Sequence, residues 1–407
     1  MDRNITTQTI NPEMTESIKD LSPLKSADRI QSIDIMRGFV LFGILLMNIN
    51  MMGLAGAYYD PTVSGGATGW DLYTWVVTSL FFEGTMRALF SLLFGVGMFI
   101  FLERLENKGA GINAANIYFR RITWLLVFGL IHAYLLLWRG EVLYHYALMG
   151  FLVFSFRNIT PKKLILVSGC LFAVGMLWFY ADYKKDVKLT EQVALAQTYT
   201  VQGKTLPKEL KEATAEWEKK EAEKSPAGIA GYTENMRKGY IDVVAFLAPI
   251  NQHDDQYYPY RYDVWDILSM MLLGIALYKL NILSAKKSYW FYAVMALAGY
   301  GIGLSINYYE TTLLLSNHFS YLSFPKSMIT YDLGRVPTAM GHVALILIFC
   351  KLPVLNFLKK GMAAVGQLAL SNYIMHSVIA MFLFTGAGFG LFGKFQRHEL
   401  LYIVFAI

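Results

Sequence analysis

The stretch "RIQSIDIMRGFVLFGILLMNIN" runs from Arg29 to Asn50, and its reading decides the fold class. Its middle is apolar enough for hydrocarbon, yet Asp34 and Arg37 stand near its start and Asn48 and Asn50 at its end. About 20 consecutive apolar residues carry an α-helix across a bilayer. An ionisable side chain inside such a helix costs roughly 2.5–3.5 kcal/mol even on mild insertion scales, so it faces a protein interior or a water-filled cavity. The few polar groups within apolar blocks are therefore where function is to be sought.

The block is one of many. The chain has 407 residues, 55% hydrophobic and 16% charged, with a mean hydropathy of +0.38. Soluble domains run at roughly 45–50% apolar and about 25% charged. The composition predicts an all-α fold, a polytopic transmembrane helical bundle of about ten helices. The apolar blocks place these at 33–54, 72–102, 120–138, 142–156, 163–181, 263–280, 288–306, 336–351, 365–386 and from 400 onward. The second is long for one crossing, and Gly84, Gly95 and Gly97 are points where it can bend. The short alternating segments of a β-barrel are absent. No short apolar core with a small-residue cleavage site precedes the first block, which argues against a signal peptide. The last block is still apolar at Ile407, which predicts that the chain continues. Cys170 and Cys350 both sit in apolar blocks and imply no disulfide framework. The net charge of +6 reflects loop Lys and Arg rather than a nucleic-acid partner.

Those loop charges set the orientation, because short cytoplasmic loops retain Lys and Arg. Lys25 and Arg29 precede the first span, and loop 55–71 has neither residue type. Arg104, Lys108, Arg120 and Arg121 follow the second, and only Arg139 follows the third. The alternation continues along the chain and predicts a cytoplasmic N-terminus. Four parts follow: a polar cytoplasmic arm (1–28), a first five-helix bundle (29–181), an extracytoplasmic charged helical insertion (182–262) and a second bundle (263–407). Residues 188–224 are rich in Lys, Glu and Ala, a helix-forming composition. The insertion is read as a solvated cap or as an acceptor-binding lid, and "NQHDDQYYPYRYDVWD" (251–266) fits the lid better.

Several intramembrane polar groups are candidates. Asp34 and Arg37, at i and i+3, share a face at the cytoplasmic end of the first span. Asn48 lies about 21 Å further along the axis. In "FFEGTMRALFSLLFGVG" (81–97), Glu83 and Arg87 stand at i and i+4, positioned to pair along one helix near mid-membrane. His132 lies inside the third span, between Arg121 and Arg139; His is the usual general base near neutral pH. Glu141, Tyr144 and His145 cluster at the outer mouth, and Asn372 and His376 share a face of the ninth span. Each has a plain structural reading, as an ion-pair anchor, helix–helix glue or a satisfied core residue. None of these sets has metal-ligand spacing, and no permanently bound cofactor is implied.

Four stretches, in this order, resemble the YeiB-like bacterial membrane family (domain of unknown function 418): "RIQSIDIMRGFVLFGILLMNI", "FFEGTMRALFSLLFGVGMFIF", "RRITWLLVFGLIHAYLLLWRGEVLYHYALMGFL" and "VGQLALSNYIMHSVIAMFLFTGAGFGLFG". Glu141 stands where that family usually has Asp, and His376 where Gln is common. The family is distantly similar to heparan-α-glucosaminide N-acetyltransferase and other transmembrane acyltransferases. That similarity rests on the Asp-x-x-Arg-Gly opening and a downstream Asn, here Asn48; no His follows in the second span, where Glu83 is the nearest ionisable group. The resemblance implies transfer of an acyl group, acetyl above all, from cytosolic acyl-CoA as co-substrate to an extracytoplasmic sugar or amine of the cell-envelope glycan. His132 or Glu83 would be the base and Asn48 or Asn372 the oxyanion donor. Asp34, Arg37, Arg87, Arg121, Glu141, Asn372 and His376 would bind substrates. A proton-coupled transporter is the competing expectation, with Glu83, Arg87, His132 and His376 lining the path. The lipid bilayer is the constant partner, and a homodimer is a further expectation.

Overall fold

A computed structural model describes residues 30–58 and 60–407; the predicted arm, 1–28, lies outside them. The described residues are helical, with no strand among them. We label the helices α1 (Gln31–Gly53), α2 (Gly69–Phe81), α3 (Thr85–Asn107), α4 (Ile112–Tyr134), α5 (Leu143–Val153), α6 (Pro161–Val201), α7 (Lys208–Lys224), α8 (Pro226–Met236) and α9 (Tyr240–Tyr258). A π-helical segment, Pro259–Leu268, leads directly into α10 (Ser269–Lys279). There follow α11 (Tyr289–Ser316), α12 (Ser323–Met328), α13 (Tyr331–Lys351), α14 (Asn356–Gln367), α15 (Ala369–Phe384) and α16 (Arg397–Ala406).

The expected helical bundle is present, with fewer candidate spans by length and composition than the ten or so expected. Six helices among the described residues are long and apolar enough to cross a membrane, or seven if α14 and α15, bent by 80°, form one broken span. All ten apolar blocks are helical, but several are too short to cross. α5 with its 3-10 extension is a short apolar helix, and α10 has 11 residues beyond the π-helical segment that it continues. Lengths near 10–14 residues suit buried or re-entrant helices better than spans. The long second block breaks at Phe82–Gly84 and runs unbroken through Gly95 and Gly97. The lipid-facing character is direct: Trp124, Leu166, Leu177, Trp290 and Leu297 are all more than half exposed.

Helices meet where glycines remove side chains, as close backbone approach in a bilayer requires. A Cβ on Gly303 would collide with Thr338, which seats α11 on α13. Gly95 and Gly274 do the same for α3 and α10. The connections gather into two groups. At one end Ser32 donates to the Leu283 carbonyl (2.7 Å), Lys279 to those of Arg157 and Ile159 (2.7 and 2.8 Å) and Lys351 to that of Lys287 (2.8 Å). At the other, Gly393 donates to Gly53 (2.7 Å), Arg397 to Ala57 (2.5 Å) and Arg237 to Phe392 (2.7 Å).

α6 is one unbroken helix of 41 residues that carries its lipid-facing half into the 182–262 stretch. There Leu189 and Val193 pack on Ala213, Trp217 and Tyr321. Tyr321 donates to Asp186 (2.6 Å) and accepts from Lys220 (2.6 Å). Burial and the Asp186 charge push the Tyr321 hydroxyl up to about 12.

Candidate functional site

Two buried polar clusters meet inside the bundle. The first is built around His132 and Glu141, at 1% and 5% exposure. Ring Nδ1 lies 3.4 Å from Glu141 Oε1. The carboxylate is fixed in turn by the first turn of α5: it accepts the amide of Leu143 and, at 2.9 Å, that of Tyr144. Amides at a helix start favour an anionic partner. With Nδ1 donating to that anion, Nε2 keeps its lone pair, and Nε2 is buried without a hydrogen-bond partner. The Tyr373 ring packs edge-on against the imidazole at 5.0 Å. Its hydroxyl accepts from Trp138 Nε1 (3.2 Å) and reaches the Gly140 carbonyl (3.4 Å). A cleft lined by Met51, Met52, Trp138, Arg139, Ser377 and Met381 opens beside this group. The Ser377 hydroxyl is also buried without a partner.

The π-helical segment joins this cluster to the second. Pro259 has no N–H to give, and its ring blocks the carbonyl four residues back, so the helix widens there. Asp263 takes His145 Nδ1 at 2.6 Å, and Asp255 lies 3.7 Å from Nε2 of the same ring. Burial raises the Asp255 carboxyl above its usual range, against the His145 charge and the Tyr134 hydroxyl. Arg139 pairs with Asp254 (3.2 Å). One turn along, Asp266 pairs with Arg87 and, at 2.7 Å, with Arg335. Arg335, 1% exposed, also grips Asp332 at 2.6 Å. Tyr331 donates to Glu83 (3.0 Å) and lies 3.4 Å from Arg87.

Glu83 and Arg87 are thus brought together, but not as neighbours on one helix. The break at Gly84 (φ +63°) separates them, and Tyr331 bridges them. A Cβ on Gly84 would strike the Tyr331 hydroxyl, so both conformation and contact require glycine there.

The other predicted residues lie elsewhere. Asp34 and Arg37 pair at 3.2 Å at the start of α1. Asn48 is half-buried with no hydrogen-bond partner among the described residues, whereas Asn50, two residues on, is buried with its side-chain oxygen unpartnered. Arg121 is exposed and lies over the Phe101 ring at 4.6 Å. Asn372 donates across the α14–α15 bend to the Val365 carbonyl (3.2 Å). His376 is half-buried with Nδ1 unpartnered.

Asp332 and Arg335 are absent from the sequence candidates, and Asp263 and Asp266 enter only within the stretch 251–266 read as a lid. Signals existed. Asp332 and Arg335 repeat the i, i+3 spacing of Asp34 and Arg37, and Asp263 and Asp266 repeat it again in "YDVWD". Placing the eighth span at 336–351 left Arg335 in a loop, one residue outside it.

Comparison with known proteins gives a consistent picture. A family model described as "Protein of unknown function (DUF418)" matches residues 277–407. The Bacillus subtilis protein YxaH is 26% identical over 401 residues, covering 93% of this chain and 87% of its own. The Escherichia coli protein YeiB is 28% identical over 398 residues, covering 93% and 89%. An uncharacterized 39.9 kDa protein of Bacillus acidopullulyticus is 34% identical over 161 residues, covering 40% and 43%. No solved structure matches the chain.

Proposed function

The chain belongs to the DUF418 family of YeiB-like membrane proteins, and from that premise we propose that it is an integral-membrane acyltransferase of the cytoplasmic membrane. It would move an acyl group from acyl-CoA to a sugar hydroxyl or amine on the far side. One observation carries the reading: His132 has Nδ1 turned to a carboxylate that two backbone amides hold, and Nε2 buried and free of partners. A general base needs this arrangement, a ring oriented from behind with its basic nitrogen unoccupied. His132 Nε2 would take the acceptor's proton as its oxygen or nitrogen bonds to the acyl carbon. The thioester C–S bond breaks, and the proton passes to the departing CoA thiolate. Glu141 would act as the positioning residue. Ser377 Oγ, on the cleft beside the group, supplies a polar atom with no present partner. Arg37 and Arg121 would meet the CoA phosphates, since guanidinium recognises phosphate in bidentate fashion.

The test is the purified full chain in lipid nanodiscs with labelled acetyl-CoA and a panel of sugar and amine acceptors. Acceptor-dependent CoA release is expected, lost in His132→Ala. Glu141→Gln should lower kcat more than KM by about 10²-fold, the scale of a general-base contribution. No release with any acceptor, with acyl-CoA binding also absent, removes the proposal.

The charged string of Glu83, Arg87, Asp266, Arg335 and Asp332 favours a second reading, a proton-coupled transporter, because intramembrane charge chains mark ion paths. Broken helices at Gly84 and at the 80° bend suit it as well. Proton-driven solute uptake in vesicles, abolished by Asp266→Asn, is its signature.

A further inference from the structure

We propose that the cleft between α2, α11 and α13 is a binding site for a small organic ammonium ion that also carries an oxygen acceptor, such as an amino alcohol. The site is separate from the His132 group, and the inference does not rest on the acyltransferase reading.

The cleft is lined by Trp75, Glu83, Asn307, Glu310, Phe324 and Tyr331, among others, and holds about 460 Å³ of atom-free space counting its open mouth. Two carboxylates face it. Glu83 accepts from the Tyr331 hydroxyl (3.0 Å) and Glu310 from the Thr330 hydroxyl (2.6 Å). Neither is within ion-pair distance of a cation among the described residues, although Arg87 and Arg335 stand nearby committed to Asp266 and Asp332. Glu83 and Glu310 are thus left without a guanidinium of their own, and an ammonium ion entering the cleft would hold both in their ionised form. Charge in so poorly solvated a place is strongly attractive to a cation. Both acids are half-buried, so a ligand in the cleft reaches them.

An independent feature points to the same ligand and to its second group. Trp75 is 3% exposed and its indole Nε1 has no hydrogen-bond partner. A buried N–H donor left unpaired costs about 1–3 kcal/mol, and an acceptor oxygen on a ligand relieves it. The Trp75 ring, packed at 5.1 Å against Phe319, stands with Phe324 and Tyr331 around the cleft. Aromatic faces with carboxylates behind them suit an organic ammonium, through cation–π attraction and charge together. Among the described residues no group of three or more His, Cys, Asp or Glu side chains could hold a metal ion, and two carboxylates with aromatic walls favour the softer, larger cation.

The experiment measures binding of radiolabelled ethanolamine to the full chain in nanodiscs at constant ionic strength. Saturable binding is expected, displaced by unlabelled ethanolamine, more weakly by ethylamine and not by ethylene glycol. Glu83→Gln and Glu310→Gln should each weaken it at least ~10-fold, about 1.4 kcal/mol. Trp75→Phe should erase the preference for ethanolamine over ethylamine. Absence of saturable binding, equal displacement by ethylene glycol, or displacement by sodium as effective as by ethylamine would each overturn the proposal. The competition series on the unmodified protein decides the matter even if a variant fails to fold.

Discussion

Arg335 is almost wholly enclosed, yet it is the residue on which two acids depend. It spans Asp266 on the π-helical segment and Asp332 one turn before it on α13. Removing one partner of a buried pair leaves the other charge uncompensated, which costs about 3–5 kcal/mol. Arg335→Met should therefore lower the thermal midpoint in detergent sharply, by more than Arg335→Met combined with Asp332→Asn and Asp266→Asn. Arg335→Lys should rescue only part of the loss, because an ammonium cannot bridge two carboxylates with a planar fork. Residue-scale reading of the sequence was uneven for a physical reason. Pairs at i and i+3, such as Asp34 and Arg37, are visible because helix geometry joins them whatever the fold. Asp266 was invisible as a partner of Arg87 because 179 residues separate them, and only the fold brings them together.

At the scale of the element, the break between α2 and α3 is the most exacting. Gly84→Ala places a side chain at φ +63° and against the Tyr331 hydroxyl. The backbone penalty alone is about 1–2 kcal/mol. Tyr331→Phe removes the nearest of the atoms in the way and leaves the ring carbon behind it, so the double variant should be less destabilised than the two single costs summed, though not restored. A thermal-melt double-mutant cycle reads that coupling; simple additivity would show that the hydroxyl does not enforce the break. The ten apolar blocks could be read as helices from composition, but not their fate. Apolarity reports that a segment avoids water; it does not separate a crossing from a short helix walled in by neighbours. α10 shows this: Met270, Met271, Leu272 and Ile275 are all sealed against protein. Its hydrophobicity serves the core as much as any contact with lipid.

For the whole molecule, contacts sort the connections into two groups, and the Lys/Arg pattern predicts that the one around Leu283 and Lys287 faces the cytosol. In a background with Cys170→Ala and Cys350→Ala, Thr62→Cys should react with a membrane-impermeant maleimide on intact cells. Asn107→Cys should react only after permeabilisation. Reversed labelling would invert the predicted orientation, and with it the side from which the proposed acyl-CoA substrate would approach.

The unbroken course of α6 has a mechanical consequence. At 1.5 Å per residue its length is about 62 Å, twice the hydrocarbon thickness of about 30 Å. Roughly half of it is therefore a mast standing clear of the lipid, and its lower half is the same rigid rod. Asp182 on that rod is clasped by Arg261, two residues from Asp263 and five from Asp266. With no joint between deck and masthead, a tilt of ~10° carries the tip ~5 Å. A load on the charged cap would therefore lean on the acids in the interior, and an antibody fragment that stiffens the mast should slow the proposed acyl transfer without approaching His132.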